Sequence, residues 1–258
     1  MTLLVDTHVH LLAGLDDGPT DTSEALAMCR LLAEEGATHV TALAHQNESY
    51  PENTTTKLRL AATHLASQLK ANGVPLAVHP TGEVALTPDL EADFRAGRLL
   101  SIGDHGQFLL VEMPPSGFVD VRPLAGALRR SGVRLVVAHA ERYPELLHDP
   151  ETVDDLAAAG CLIQVTAGAL AEPPSGTVGR ALRDWAKRGV IHLLGSDGHR
   201  MTRRRPHLRA GYEALARCAG RAAADRAGIW GAAILQGLPV KVPAPAPRAR
   251  SWYSELFR

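Results

Sequence analysis

Seven short apolar runs recur along the 258-residue chain, with segments of helical apolar spacing between them. The runs predicted to be strands are 3–10, 38–44, 76–78, 108–111, 135–138, 161–165 and 190–196. The predicted helices are 21–36, 54–72, 121–131, 150–159 and 177–188, with two more after residue 206. Strands that alternate with helices predict a parallel α/β sheet covered by helices, and a count near seven or eight favours a barrel.

The composition limits the partners and the compartment. Lys and Arg number 27 against 28 Asp and Glu, so no global positive field favours nucleic acid or an anionic membrane. Cys29, Cys161 and Cys218 lack CxxC spacing, which predicts reduced, buried thiols and a cytoplasmic protein. We expect neither a signal peptide nor a membrane span. The oligomeric state is left open.

The first strand turns polar at its end, in Val5-Asp6-Thr7-His8-Val9-His10. Alternation along an extended strand places Asp6, His8 and His10 on one face. Two imidazoles on a rigid strand end can bind a divalent metal, and a carboxylate beside them can fix an imidazole tautomer. Taken alone, the pair fits equally well with two core histidines that bond to the backbone.

Later strands end in the same way, on side chains with nitrogen or oxygen donors. With one aspartate from the first loop, the candidate ligands are His8, His10, Asp17, His45, Glu83, Glu112, His139, Asp197 and His199. Active sites of α/β barrels lie at these strand ends, and a set without thiolates indicates a catalytic rather than a structural metal site. Nine ligands exceed the needs of one ion. The sequence therefore predicts two or three metal sites, suited to displacement at phosphorus, with a carboxylate such as that of Glu83 bridging two of them.

Two arginines near the predicted ligands are candidate phosphate clamps, since a guanidinium binds phosphate through two hydrogen bonds. Arg142 follows His139 by three residues, and Arg205 precedes Pro206. The run 203–205 also fits a solvated basic loop. A cysteine-nucleophile phosphatase is excluded, because the residues six positions after the three cysteines are Glu35, Ala167 and Ala224 rather than arginine.

Taken together, the ordered motifs resemble the polymerase and histidinol phosphatase (PHP) superfamily, and within it the bacterial capsule-type protein tyrosine phosphatases of the CpsB/YwqE kind. The resemblance covers roughly residues 2 to 236. The motifs that carry it are Asp6-Thr7-His8-Val9-His10, Asp16-Asp17-Gly18-Pro19, Gly82-Glu83, Val111-Glu112, Ala138-His139-Ala140-Glu141-Arg142, Ser196-Asp197-Gly198-His199 and Arg205-Pro206.

The resemblance implies a distorted (β/α)7 PHP-type barrel over residues 1–240, with up to three ions at the C-terminal ends of the strands. Manganese is the implied metal, with iron, zinc and magnesium as alternatives. The implied ligand groups are His8, His10, Glu83 and Asp197; Glu83, Glu112 and His139; and Asp17, His45 and His199. The resemblance also makes Arg142 and Arg205 phosphate-binding residues.

The expected function is that of a metal-dependent phosphomonoesterase, in which a metal-activated hydroxide attacks the phosphorus of phosphotyrosine in a protein. The resemblance adds regulation of capsule or exopolysaccharide, and the C-terminal tail of a bacterial tyrosine kinase as a candidate partner. The alternatives are a small-molecule phosphatase, such as histidinol phosphatase, and a non-catalytic metal-binding module.

Two features depart from the family pattern. Gln46-Asn47 follows His45 where the family has a more basic or proline-containing loop, and the loop from Asp197 to Arg205 is one residue longer. Both bear on substrate choice more than on metal binding.

The C-terminal segment, residues 241–258, lies outside the resemblance. Residues 242–250 alternate proline with alanine and arginine, which predicts a stiff extended tether. The aromatic end, 251–257, either docks on the barrel or binds a partner.

Overall fold

The computed structural model describes residues 2–247, and their seven strands form one parallel sheet in chain order. The strands are β1 (Leu4–Asp6), β2 (Ala37–Gln46), β3 (Ala77–Ala85), β4 (Phe108–Glu112), β5 (Arg134–Val137), β6 (Leu162–Thr166) and β7 (Leu193–Gly195). Beyond β1 and β7 the chain joins the two edges, since His8 O accepts from Asp197 N (2.7 Å) and Gly198 O from His10 N (3.0 Å). The predicted distorted seven-stranded barrel is confirmed.

Ten α-helices and two 3₁₀ turns, Ile102–Asp104 and Ala140–Arg142, accompany the strands in the described part of the chain. The α-helices are α1 (Thr22–Glu34), α2 (Thr55–Ala71), α3 (Leu90–Arg95), α4 (Arg122–Arg130), α5 (Pro144–His148), α6 (Pro150–Ala158), α7 (Ala167–Ala171), α8 (Thr177–Arg188), α9 (Leu208–Ala219) and α10 (Arg221–Leu235). At the start of α1, Asp21 accepts the N–H of Glu24 (2.9 Å), and Glu24 accepts that of Thr20 (2.9 Å) instead of closing the capping box on Asp21. The short helices α3, α5 and α7 were not predicted.

The barrel packs on both faces of its sheet. Val40, Ala42 and Ala44 of β2 face the helices, while Leu43 faces the barrel interior. Interior side chains from the strands are Val5, Leu43, Phe108, Leu110, Val136, Leu162 and Leu193. Ile234 and Leu235, in the last turn of α10, pack against this interior cluster. The interior is therefore apolar below the strand ends that carry the polar residues.

The simple alternation predicted for the first strand is wrong. Val5 lies in the interior cluster, whereas Leu4 and Val9 pack outside the sheet. Yet His8 also points into the barrel, toward Glu83. The reason is that β1 ends at Asp6 and the chain bends there before it pairs again at Val9. One bend thus places an apolar side chain and two imidazoles on the same face.

Residues 241–247 are the described part of the predicted stiff extended tether. They contain neither helix nor strand, and two of them contact the barrel. Val242 packs against the interior cluster, and Arg134 Nη1 donates to Val240 O (2.8 Å). Arg188 Nε donates to Ala246 O (3.0 Å), and Ala246 N donates to Arg188 O (2.9 Å). Val242 and Ala246 of this segment therefore lie against the barrel. The predicted aromatic end, 251–257, lies outside the described residues.

Two of the three cysteines are buried as predicted, Cys29 and Cys161, and Cys218 is half-buried. Burial raises the pKa of the Cys29 and Cys161 thiols to about 12, so both stay protonated and poorly nucleophilic. Within residues 2–247, the helices are all too short or too polar to cross a bilayer.

The attached segment leads to a prediction about truncation. A chain ending at residue 238 loses the Val240 and Val242 side chains from the interior cluster and leaves Arg134 and Arg188 without their carbonyl acceptors. We expect its free energy of unfolding to fall by about 2–4 kcal/mol. A chain ending at residue 247 is the control, so that the comparison isolates the contribution of residues 239–247. Equal denaturation midpoints for the two truncations would show that the segment adds no stability.

Candidate metal centre and active site

The structure brings all nine predicted ligands together at the C-terminal end of the barrel. The strand register explains the meeting, because β2 and β3 pair His45 directly with Glu83, and β3 and β4 pair Ala85 with Glu112. His139 follows β5 by two residues, and Asp197 follows β7 by two. The loop before α1 supplies Asp17 from the side.

Glu83 occupies the centre of this cluster. It is buried, and its two carboxylate oxygens lie close to four imidazoles. The distances are 3.2 Å to His8 Nε2, 3.3 Å to His10 Nε2, 3.1 Å to His45 Nδ1 and 3.1 Å to His139 Nε2. This is the position that a bridging carboxylate requires.

Four overlapping groups of donor atoms could each hold an ion, with the atoms of each group within 4.8 Å of one another. They are His8, His10 and Asp197; His8, Glu83 and His139; His45, Glu83 and Glu112; and His10, Asp17, His45 and His199. These groups differ from the ligand groups that the family resemblance implies in two main ways. His10 also joins the group that contains Asp17, and His45 joins the group that contains Glu112.

The donor atoms themselves fit metal ions. His8 Nε2, His10 Nε2, His45 Nδ1 and Glu83 Oε2 are buried without a hydrogen-bond partner among the described residues. Buried polar atoms normally have partners, because leaving one unpaired costs about 1–3 kcal/mol. Bound cations would satisfy all four at once, and the donors are the nitrogens and oxygens that transition metals accept.

Protein groups hold the far nitrogens of the imidazoles and so direct the near ones inward. His8 Nδ1 lies 2.8 Å from Gln164 Oε1, and His10 Nδ1 lies 2.7 Å from Asp16 Oδ2. His199 Nδ1 lies 2.9 Å from the backbone oxygen of Asp197. Such outer partners fix ring orientation and tautomer in metal sites.

Asp6 does not orient an imidazole, although its place on the first strand predicted that role. Asp6 Oδ1 accepts the backbone N–H groups of His8 (3.1 Å) and Ser196 (2.8 Å), so it joins the ends of β1 and β7. Gln164 and Asp16 were missed as partners. A buried glutamine within the apolar run of β6 was the available signal, while Asp16 gave none because it lies in a turn.

Charges in the cluster balance one another. Burial alone would lower the pKa of His10, but the carboxylates of Asp16 and Glu83 raise it to about 10. His139 behaves alike, since Glu112 and Glu83 outweigh burial and raise its pKa to about 9. The carboxylates therefore stabilise positive charge at these imidazoles. Protons supply that charge in the metal-free protein, and bound metal ions would replace the protons.

Three residues at the site have left-handed backbone conformations without being glycine. The φ angles are 33° at His139, 52° at Asp197 and 55° at Arg204. Such residues are uncommon and cost of order 1–3 kcal/mol, and they concentrate at functional sites. His139 and Asp197, two of these strained residues, lie just past β5 and β7, and their own side chains are candidate ligands that point into the site.

Arg142 and Arg204 lie at the mouth of the cluster. Both guanidiniums contact Asp197 Oδ2 through Nη2, and Arg204 Nη1 also lies 2.9 Å from His199 Nε2. Their side chains remain 43% and 38% exposed, so each can reach a ligand from solvent. Arg205, the predicted clamp, is exposed and has neither a hydrogen bond nor an ion pair with any described residue.

The loop after β2 adds an aromatic side chain that the sequence did not single out. The Tyr50 ring lies parallel to the His45 imidazole, with centroids 5.7 Å apart and 3° between the planes. Gln46, one of the two departures from the family pattern, is buried. Its amide donates to Asn53 O (2.9 Å) and accepts from Leu100 N (2.7 Å), so it supports the loop rather than facing a ligand.

The fold and the site define a class: seven-stranded α/β barrels with a cluster of candidate metal ligands at the C-terminal ends of the strands. Residues 4–233 match the family described as capsular polysaccharide synthesis, CpsB/CapC, and the chain belongs to this family. The resemblance drawn from the sequence motifs is confirmed.

Named relatives agree with the family. The chain is 30% identical over 212 residues to the tyrosine-protein phosphatase YwqE of Bacillus subtilis (strain 168), covering 79% of this chain and 80% of the relative. It is 23% identical over 202 residues to the putative tyrosine-protein phosphatase CapC of Staphylococcus aureus, covering 78% and 79%.

A solved structure also matches. It comes from work on YwqE from Bacillus subtilis and CpsB from Streptococcus pneumoniae, described there as unique metal-dependent tyrosine phosphatases. The TM-score is 0.88 at 26% identity, over 96% of this chain and all of the other. Together with the donor set, this match indicates that the chain uses metal.

The centre should be polynuclear. Elemental analysis of protein purified without chelator should find more than one transition-metal ion per chain, because the donor groups overlap around Glu83. His139→Ala should lower the metal content, since the site loses a neutral imidazole. His64→Ala, an exposed histidine of α2, is the matched control and should keep it. A content of one ion or fewer in the parent protein would contradict the assignment.

Proposed function

We propose that this chain is a metal-dependent protein-tyrosine phosphatase that hydrolyses phosphotyrosine in a protein substrate. The observation that carries the proposal is the buried, Glu83-centred cluster of nitrogen and oxygen donors with two partly exposed arginines at its mouth. The relatives are named as tyrosine-protein phosphatases, which supports the reaction, and the donor set supports its dependence on metal. Manganese is the proposed metal, from the family resemblance and from the absence of thiolates among the donors.

Bound divalent ions would activate a water molecule and neutralise phosphate oxygens, which is the chemistry that a displacement at phosphorus needs. His8, His10, Glu83 and Asp197 would form one binding group, with Glu83 shared by the group of Glu112 and His139. Asp17, His45 and His199 would form the third. Gln164 and Asp16 keep the His8 and His10 rings turned inward while ligands exchange.

Arg142 and Arg204 would bind the phosphate oxygens that remain exposed. A guanidinium offers two parallel N–H groups to such oxygens, and these bonds strengthen as charge develops in the transition state. Arg204 takes the role that the sequence assigned to Arg205. The longer loop accounts for the difference, because the left-handed turn at Arg204 directs its side chain back to Asp197 and His199.

The shape of the mouth favours a protein substrate over a small phosphate ester. A groove of about 660 Å³ runs beside Tyr50 and Asn47, and a cavity of about 440 Å³ lies beside His199 and Arg203. Both are open depressions rather than a closed pocket around the donors. A peptide has room on either side of its phosphotyrosine, and the tail of a bacterial tyrosine kinase is the proposed partner in capsule or exopolysaccharide regulation.

Turnover tests the proposal. Manganese-loaded protein should hydrolyse p-nitrophenyl phosphate and a phosphotyrosine peptide, and chelation should abolish both activities reversibly. The protein treated with chelator and then reloaded is the control. Loaded protein that turns over neither substrate would reject the phosphatase function.

The arginines give a sharper prediction. Arg142→Ala and Arg204→Ala should keep the metal ions, because neither residue belongs to the proposed ligand groups. Each should lose roughly 2–4 kcal/mol of transition-state stabilisation, the effect of removing one preorganised donor. That is on the order of a hundredfold or more in kcat/KM. Arg142→Lys should recover only part, since an ammonium cannot make the two-pronged contact.

Arg205→Ala is the matched comparison for Arg204→Ala, one residue away and equally charged. Metal analysis and steady-state kinetics on both decide between the two positions. If Arg205→Ala loses activity and Arg204→Ala does not, the phosphate clamp is Arg205, and the loop rearranges when substrate binds.

A further inference from the structure

The loop between β7 and α9 concentrates positive charge at one edge of the metal centre. Four arginines fall within six residues, 200–205, in a chain whose formal net charge is −1. Arg204 turns inward to Asp197 and His199. The others remain at the rim, so the mouth of the site has a basic side.

The rim charge at Arg203 is not neutralised by the protein. Arg203 is exposed and has no hydrogen bond or ion pair with any residue from 2 to 247, and the nearest acid to Arg200 is Glu24, at 3.9 Å. Some exposed arginines elsewhere on the barrel have acidic partners, as in Arg59 with Asp104 (2.6 Å), while others such as Arg130 have none among the described residues; what distinguishes Arg203 is its place beside the metal centre. An unpaired guanidinium beside a phosphate-binding site is available to a second anion.

A cavity lies between this loop and the centre. Its volume is about 440 Å³, and its lining residues are Asp17, His199, Arg200, Thr202, Arg203 and Arg204. Asp17 and His199 belong to the candidate ligand groups, so the cavity opens directly onto the place where phosphate would bind. Asp17 is its only acidic lining residue, and that carboxylate is a proposed metal ligand.

The neighbouring groove has the other sign of charge. The groove beside Tyr50 includes Glu48 and Asp89 in its lining, and neither side chain has an ion pair among the described residues. A bound peptide would therefore meet a basic wall toward Arg203 and an acidic wall toward Glu48. Charge on only one flank of the phosphotyrosine would match this asymmetry.

We propose that the cavity lined by Arg200, Thr202 and Arg203 is a subsite for a second anionic group on the same peptide, next to the phosphotyrosine being hydrolysed. The group is a carboxylate side chain or a second phosphate monoester. This inference rests on the proposed phosphatase function, and it names the substrate class as phosphotyrosine peptides with an acidic or phosphorylated flank.

Peptide kinetics test the subsite on the manganese-loaded full chain. Each peptide of the set has a phosphotyrosine at its centre. The peptides differ in their flanks, which are neutral, have glutamates on the N-terminal side, have glutamates on the C-terminal side, or have a second phosphotyrosine on either side. We expect one flank to raise kcat/KM about threefold to fivefold at low salt, the size of an exposed charge pair. The gain should shrink as salt rises, because exposed charges are screened.

Arg203→Glu should remove or invert this preference and leave turnover of p-nitrophenyl phosphate unchanged, since that substrate has no flank. Arg130→Glu is the matched control: it is exposed at the end of α4, on the opposite face of the barrel, and it changes the net charge equally. The control should keep the preference. A gain with glutamate and phosphotyrosine identifies a general anion subsite, and a gain with phosphotyrosine alone identifies a phosphate subsite.

Two results would overturn the inference while sparing the phosphatase function. One is equal kcat/KM for all peptides at low salt. The other is a preference that Arg203→Glu and Arg130→Glu reduce alike, which would come from net charge rather than from the subsite. If the manganese-loaded full chain instead hydrolyses none of the peptides and no p-nitrophenyl phosphate, the proposed phosphatase function itself is rejected.

Discussion

The Glu83 carboxylate, buried among four imidazoles, is the interaction on which the site depends. A lone buried carboxylate would be protonated, because burial disfavours its charge. The surrounding imidazoles instead hold the pKa of Glu83 well below its usual range. The Glu83 carboxylate stays charged only because several imidazoles surround it. The strands that lead to these residues must therefore end at the same place. The barrel closure supplies that common end.

Much of this arrangement could be predicted from the sequence, because parallel strands end at one edge and their last residues are marked by a change from apolar to polar. That rule found His45, Glu83, Glu112 and His139, each next to an apolar run. It failed where the backbone departs from a regular strand. The bend after Asp6 places Val5 on the same face as the two imidazoles, and Arg204, which has a left-handed backbone conformation, contacts the site where Arg205 does not.

Partners that come from loops or from strand interiors could not be found by the same rule. Asp16 contacts His10 from a turn, and Tyr143 reaches to within 3.3 Å of His139 Nδ1 from the start of a short helix. Their roles depend on loop paths that local periodicity does not encode. The segment 241–247 shows the same limit, since proline and alanine predict an extended chain, and that pattern does not reveal the contacts of Val242 and Ala246 with the barrel.

The two arginines at the mouth suggest how the site distinguishes phosphate from the protein's own carboxylates. Arg142 and Arg204 share one oxygen of Asp197, so two cations crowd one anion and repel each other. A phosphate monoester offers three exposed oxygens and about two negative charges, enough to give each guanidinium its own partner. Asp197 would then be released to bind metal alone. Substrate binding and metal binding would therefore favour each other, because each removes a competitor from the same carboxylate.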